Sequence, residues 1–162
     1  LDNMFKLLIL DIDGVLTNGT KMYDLEGNVF GKSFYDHDFT AIKLFNKTGV
    51  SVCFLSGDRR VNQKMADNRG INFFHNTKGT NKSDYLERIC TTYGVTDQET
   101  AYVGDDIYDL DIMKMVKYPM CPEDAVWEVF DFCQDNGYII PCESGKGVIK
   151  RLYFEMQALW KK

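Results

Sequence analysis

Short apolar runs alternate with stretches of helical period along this chain, and that alternation sets the reading of its fold. The runs Lys6 to Leu10, Val50 to Leu55, Ile71 to Phe74, Thr100 to Val103 and Tyr118 to Cys121 are each of strand length. Between the first two, Asp38 is placed to N-cap a helix whose apolar face is Ala41, Leu44 and Phe45, with Gly49 as its stop. Ser83 to Tyr93 repeats the design: Leu86, Ile89, Cys90 and Tyr93 form one stripe, and Gly94 ends it. Gly147 to Trp160 carries Val148, Leu152, Tyr153, Met156 and Leu159 at helical spacing and is read as closing the core or a subunit interface. Strand and helix in alternation predict an α/β fold, a Rossmann-like parallel sheet with helices on both faces. Gly14 to Phe34 stands apart, because Lys21-Met-Tyr and Asn28-Val-Phe flank Asp24 to Gly27 like two short strands joined by a turn. A small β-hairpin beside the main sheet is expected there.

Ligands of open α/β sheets bind at the carboxyl ends of the strands, so polar residues that end an apolar run carry most weight. Three runs end this way: Leu7-Leu-Ile-Leu at Asp11-Ile-Asp13-Gly14, Val52-Cys-Phe-Leu at Ser56-Gly57-Asp58, and Ala101-Tyr-Val-Gly at Asp105-Asp106. Alternation along an extended chain puts Asp11 and Asp13 on one face and turns Ile12 toward the core. Acids at strand ends also cap loops, but three coincident ends favour one crevice. Carboxylates gathered there repel, each close pair by on the order of 4 kcal/mol at ~4 Å and an effective dielectric of about 20. A cation must offset this, and oxygen-only ligands suit Mg2+, with Asp11 and Asp105 as the preferred carboxylates. Lys82, at the start of the third helix, either aims its ammonium at the same crevice or is a solvated surface lysine.

With 162 residues, 44% of them hydrophobic, the chain can bury one sizeable core and is short for two, so a single domain over residues 1–162 is expected. Against 19 bases stand 24 acids, a net charge of -5 with no basic run, which argues against a nucleic-acid partner. The 5 cysteines are odd in number and never form Cys-x-x-Cys, so neither a disulfide framework nor a zinc site is indicated and a reducing cytoplasm fits. Leu7 to Leu10 is far too short for a signal-peptide core or the roughly 20 residues of a membrane helix, so no membrane partner is expected. Leu1-Asp2-Asn3 before Met4 is either an added remnant or the cut edge of a longer protein.

Asp11-Ile-Asp-Gly-Val-Leu-Thr17, followed in order by Ser56-Gly57, Lys82 and Gly104-Asp-Asp106, resembles the four motifs of haloacid-dehalogenase-superfamily phosphatases. Phe34 to Ile42, Asn81-Lys82, Tyr102 to Asp106 and Ser144-Gly-Lys-Gly-Val148 are similar to the capless sugar-acid phosphatases acting on 3-deoxy-octulosonate 8-phosphate or nine-carbon ulosonate 9-phosphates. The resemblance implies Asp11 as nucleophile, Asp13 as general acid and then base, Ser56 as a hydrogen-bond donor to the phosphate, and Lys82 as a neutralising charge. It implies Mg2+ held by Asp11, the backbone carbonyl of Asp13, and Asp105, with Asp106 behind them. Asp109 would orient Lys82 or a metal-bound water, or serve only the dipole of its helix. Gly14, Thr17, Gly57, Asp58 and Arg59 would bind substrate; Arg59 and Arg60 either hold its carboxylate or are a solvated helix start.

The gaps between motifs leave no room for a cap: the first holds a hairpin and one helix, the second one helix and one strand. An uncovered crevice takes a large substrate or is closed by another subunit. By the resemblance the substrate is a small phosphorylated sugar acid and the protein a homotetramer whose neighbouring subunit closes the site. His37 either contacts the sugar or is a surface residue, and Gly145-Lys146-Gly147 is either a turn given to the neighbour's pocket or a plain turn. Two other readings stand: a receiver-type signalling domain, and a phosphatase-like domain of a sugar-acid nucleotidylyltransferase serving tetramer assembly.

Overall fold

The computed structural model describes residues 4–160; Leu1 to Asn3, whose origin the sequence leaves open, lie outside the described residues. Strand β1 (Leu7–Leu10) is buried along its whole length and lies at the centre of the sheet. A two-stranded antiparallel hairpin follows, β2 (Met22–Tyr23) and β3 (Val29–Gly31). Next come α1 (Asp36–Lys47), β4 (Ser51–Ser56), α2 (Arg60–Arg69) and β5 (Phe73–His75). A 3-10 turn over Lys82–Tyr85 leads into α3 (Leu86–Tyr93), then β6 (Thr100–Val103) and the short α4 (Leu110–Met113). The chain ends with β7 (Tyr118–Pro122), α5 (Trp127–Asn136), β8 (Tyr138–Ile140) and α6 (Val148–Trp160). The main sheet has six strands in the order β5-β4-β1-β6-β7-β8, all parallel.

Alternation along β1 divides the core into two layers. Leu8 and Leu10 pack with Phe39, Ile42 and Phe45 of α1 and with Val148, Leu152 and Met156 of α6. Leu7 and Ile9 face the other way, toward Ile89 of α3, Ile112 of α4, and Val129 and Cys133 of α5. Burial on both faces is why these strands read as continuous apolar runs. Each fully buried Leu or Ile contributes roughly 1.5–3 kcal/mol relative to exposure. Among the described residues no helix is long and apolar enough to cross a membrane.

One expectation is corrected. Asp38 does not cap α1, which begins earlier, after Tyr35, so that Asp38 sits within its first turn. Its side chain points inward instead, and its Oδ1 accepts the backbone N–H groups of Ile149 and Lys150, capping the first turn of α6. The apolar pattern also gave no sign of α5 and β8, which add the sheet's last strand.

Candidate active site

Strands β4, β1 and β6 are neighbours, so their carboxyl ends converge as the sequence implies. Asp11 and Asp13 from β1, Ser56, Gly57 and Asp58 from β4, Asp105 and Asp106 from β6, and Asp109 and Lys82 line one crevice of about 450 Å3. Gly14 lines it too, and Ile12 is fully buried between the two aspartates' positions, as alternation requires.

Lys82 is a buried cation that lines the crevice. Its Nζ lies 3.0 Å from Asp11 Oδ1 and 2.6 Å from Asp109 Oδ1. It also donates to the Tyr102 hydroxyl at 3.0 Å, and that hydroxyl donates to Asp109 Oδ1 at 2.5 Å. Asp109 Oδ2 accepts the backbone N–H groups of Asp105 and Asp106 at 3.0 and 3.1 Å. Of the three roles open to Asp109, holding Lys82 is the one its contacts support, and it fixes the Asp105-Asp106 turn as well. Gly104 makes room for this, since a Cβ there would stand 2.5 Å from the Asp109 carboxyl carbon. Asp106 caps the following turn, accepting from the Ile107 N–H at 2.7 Å.

The electrostatics follow from burial. Desolvation pushes the Asp11 carboxyl up to about 7; Lys82 opposes the shift and Asp109 adds to it. Desolvation, and then the charges of Asp11, Asp109 and Asp106, push Asp105 up to about 8. Burial pulls the Lys82 ammonium down, but Asp11 and Asp109 outweigh it and hold it above its ordinary value. Carboxylates so crowded are in want of a cation.

The residues fit a hard divalent ion. Carboxylate oxygens of Asp11, Asp105 and Asp109 all lie within 4.8 Å of one another. Asp109 has both oxygens engaged by donors, whereas Asp105 Oδ1 is buried with no hydrogen-bond partner among the described residues. Gly14 leaves the space beside it open: at φ +83°, a Cβ there would stand 1.9 Å from Asp105 Oδ2. An orphaned carboxylate oxygen in an all-oxygen donor set is suited to Mg2+ rather than zinc.

The family profile for haloacid dehalogenase-like hydrolases matches residues 33–152. The chain belongs to that family. Over 106 residues, 65% of this chain and 58% of the relative, it is 36% identical to a 3-deoxy-D-manno-octulosonate 8-phosphate phosphatase of Haemophilus influenzae. It is 30% identical over 127 residues to the Salmonella typhi protein of the same name, covering 74% of this chain and 63% of that one. The matched spans are thus about six-tenths of the length of these curated relatives. The cobalt-bound deoxy-D-mannose-octulosonate 8-phosphate phosphatase structure from Haemophilus influenzae superposes with a TM-score of 0.87 at 29% identity, covering 99% of this chain and 91% of that one. Membership in the hydrolase family sets aside the receiver-domain reading.

Not every expected residue lines the crevice. Thr17 is buried behind it, its hydroxyl 3.4 Å from Asp13 Oδ1 and accepting the N–H of Gly19 at 3.1 Å. Arg59 is exposed before α2 and is not among the lining residues. Arg60 lines a separate groove with Phe30, Phe34 and Lys64. His37 is exposed and packs on Tyr35, ring centroids 5.2 Å apart. The Gly145 N–H donates to the Val15 carbonyl at 3.1 Å, which ties that turn to the segment after Asp13.

Several residues at the site escaped the sequence reading: Gly19, Lys21, Asn76 and Tyr108 line the crevice, and Lys32 and Asn62 contact its side chains. Lys32, just after β3, has a fully buried side chain whose Nζ meets Asp13 Oδ2 at 2.8 Å and Asp58 Oδ2 at 2.5 Å. Asn62 of α2 is fully buried and donates to Asp13 Oδ2 at 3.0 Å and Ser56 Oγ at 3.2 Å. A signal for Asn62 existed: it lies one turn before Ala66 on the inward face of α2. Nothing local distinguishes Lys32 from a surface lysine.

Proposed function

We propose that this chain is a phosphomonoesterase that hydrolyses a small phosphorylated sugar acid, an eight- or nine-carbon ulosonate phosphate, through an aspartyl-phosphate on Asp11. The observation that carries this reading is the pairing of Asp11 with the buried Lys82 at 3.0 Å, inside a crevice open to a phosphate ester. The two named octulosonate 8-phosphate phosphatases support the reaction class and the substrate. The cobalt in the Haemophilus structure supports a divalent ion, for which Mg2+ is the choice that suits oxygen ligands.

An Asp11 carboxylate oxygen attacks phosphorus while the ester P–O bond breaks, and Asp13 gives a proton to the departing sugar oxygen. Asp13 then takes a proton from water as the water oxygen attacks phosphorus; the bond to Asp11 breaks and inorganic phosphate leaves. Lys82 neutralises charge on the phosphoryl oxygens, and the Ser56 hydroxyl with backbone N–H groups near Gly14 and Gly57 donates to them. The carboxylates of Asp11 and Asp105 and the backbone carbonyl of Asp13 would hold Mg2+, which supplies charge neutralisation and orients the phosphoryl group. Asp58 and Arg59 belong to substrate selection in this reading, with Thr17 supporting Asp13 from behind.

A homotetramer with a neighbouring subunit closing the crevice completes the proposal. It is supported by the lack of an inserted cap between the motifs and by the hairpin's exposed Tyr23, Leu25 and Phe30. The test is phosphate release from a panel of eight- and nine-carbon ulosonate phosphates with and without Mg2+, beside an Asp11→Asn control. Metal-dependent release lost in the control supports the reading. No release from any ester, with the fold intact, overturns it and favours a domain that only assembles a nucleotidylyltransferase.

A further inference from the structure

Lys32 reaches the crevice from the hairpin, and its contacts leave it nothing to offer a substrate. An ammonium has three N–H donors, and Lys32 Nζ has three acceptors: Asp13 Oδ2 at 2.8 Å, Asp58 Oδ2 at 2.5 Å and Asn62 Oδ1 at 3.1 Å. With its side chain fully buried, it is held rather than poised. The bond to Lys32 also fixes the Asn62 amide, oxygen toward the ammonium, so that Nδ2 faces Asp13 Oδ2 and Ser56 Oγ.

Two consequences follow for the groups that face substrate. Asp13 Oδ2 accepts from both Lys32 and Asn62, while Oδ1, among the described residues, meets only the Thr17 hydroxyl at a long 3.4 Å. The Ser56 oxygen accepts from Asn62 at 3.2 Å and from the Asp58 N–H at 3.3 Å, which uses its lone pairs and leaves its own hydrogen to donate. Asp58 Oδ2 is likewise occupied, between Lys32 and, at 3.5 Å, Lys21, whereas neither contact involves Asp58 Oδ1.

We infer that Lys32 and Asn62 are positioning residues that pin Asp13 Oδ2, leaving Asp13 Oδ1 as the oxygen that exchanges the proton with the leaving group, and that turn the Ser56 hydroxyl toward the phosphate. The inference rests on the phosphatase reading above and deepens it. It makes the hairpin part of the leaving-group machinery, because the residue that aims the acid is carried at its end.

The test uses aryl phosphates, which do not depend on the sugar's identity. A nitrophenolate leaves without needing a proton, whereas a phenolate benefits from one, so the release rates from p-nitrophenyl and phenyl phosphate separate acid catalysis from attack. Under saturating Mg2+, Lys32→Met is expected to slow the first turnover of phenyl phosphate on the order of 10²-fold and that of p-nitrophenyl phosphate less than about tenfold, with KM little changed. Asn62→Ala, which leaves every charge in place, is expected to show the same bias more weakly. Lys32→Met/Asp58→Asn keeps the charge balance and serves if the single lysine variant fails to fold. Equal slowing of both esters in a folded variant, or no slowing, overturns the inference while leaving the phosphatase reading intact. If the wild-type protein releases phosphate neither from these aryl esters nor from the ulosonate panel, the phosphatase reading itself falls and this inference with it.

Discussion

Asp38 Oδ1 accepts the backbone N–H of Ile149, 111 positions later, at 3.0 Å, and that of Lys150 at 2.9 Å. This carboxylate joins the first turn of α1 to the first turn of α6 and satisfies two N–H groups that a helix start leaves without an intrahelical partner. Its Oδ2 is buried with no partner among the described residues. Asp38→Ala is expected to lower stability by about 1–2 kcal/mol through loss of the cap, whereas Asp38→Asn, which keeps an accepting oxygen, loses much less. Denaturant melts of the three proteins check this.

The same residue sets a pH dependence. Burial pushes Asp38 from an ordinary 3.8 up to about 6, against the two backbone hydrogen bonds that favour its charged form. The folded state therefore binds the proton more tightly than the unfolded chain. Its contribution is complete below about pH 4 and is lost as pH rises through 6, a swing on the order of 2–3 kcal/mol. Asp38→Asn is expected to flatten the stability profile between those values; an unchanged slope in melts across pH 4–7 would refute the assignment.

Lys82 lies between two carboxylates, and removing it strands both. Lys82→Ala is expected to abolish phosphate release and to destabilise the fold by about 3–5 kcal/mol, the usual effect of breaking a buried ion pair from one side. Lys82→Ala/Asp109→Asn removes one of the stranded charges and is expected to recover part of the stability without recovering activity. Thermal melts and phosphate release, run together on both variants, separate the two roles.

Binding of Mg2+ to the folded state alone raises the melting temperature by mass action. Wild-type protein is expected to gain several degrees on addition of millimolar Mg2+ and to lose them with EDTA. Asp105→Asn should abolish the gain. So should Gly14→Ala, because its methyl group would stand 1.9 Å from Asp105 Oδ2 and because Gly14 has a φ of +83° that L side chains rarely adopt. A normal Mg2+ response in Gly14→Ala would refute the placement of the ion beside Asp105.

The hairpin leaves Tyr23 60%, Leu25 103% and Phe30 64% exposed, an apolar surface on a two-stranded element that is marginal alone. Leu25→Lys/Phe30→Glu is expected to lower the sedimenting mass from that of the proposed tetramer toward a monomer. Loss of assembly with activity retained would remove the neighbouring subunit from the site.

The parallel sheet and the crevice were legible in the chain, because both are written in local patterns. Runs buried on two faces are continuous and apolar, and Asp11, Asp13, Ser56 and Asp105 stand where such runs stop. The strand ends met because β4, β1 and β6 are adjacent, as short right-handed crossovers favour. Tertiary structure alone decided the partners of charged side chains on segments without period. Lys32 reads as solvated until the hairpin folds over Asp13 and Asp58, and Asp38 reads as a cap for its own helix until α6 packs against α1. Asp109 had three possible duties until Lys82 and the Asp105-Asp106 turn were set around it. The physical reason is the same in each case. Periodicity records which face of an element is dry, whereas a buried charge is matched by whatever distant group the packing brings within about 3 Å of it.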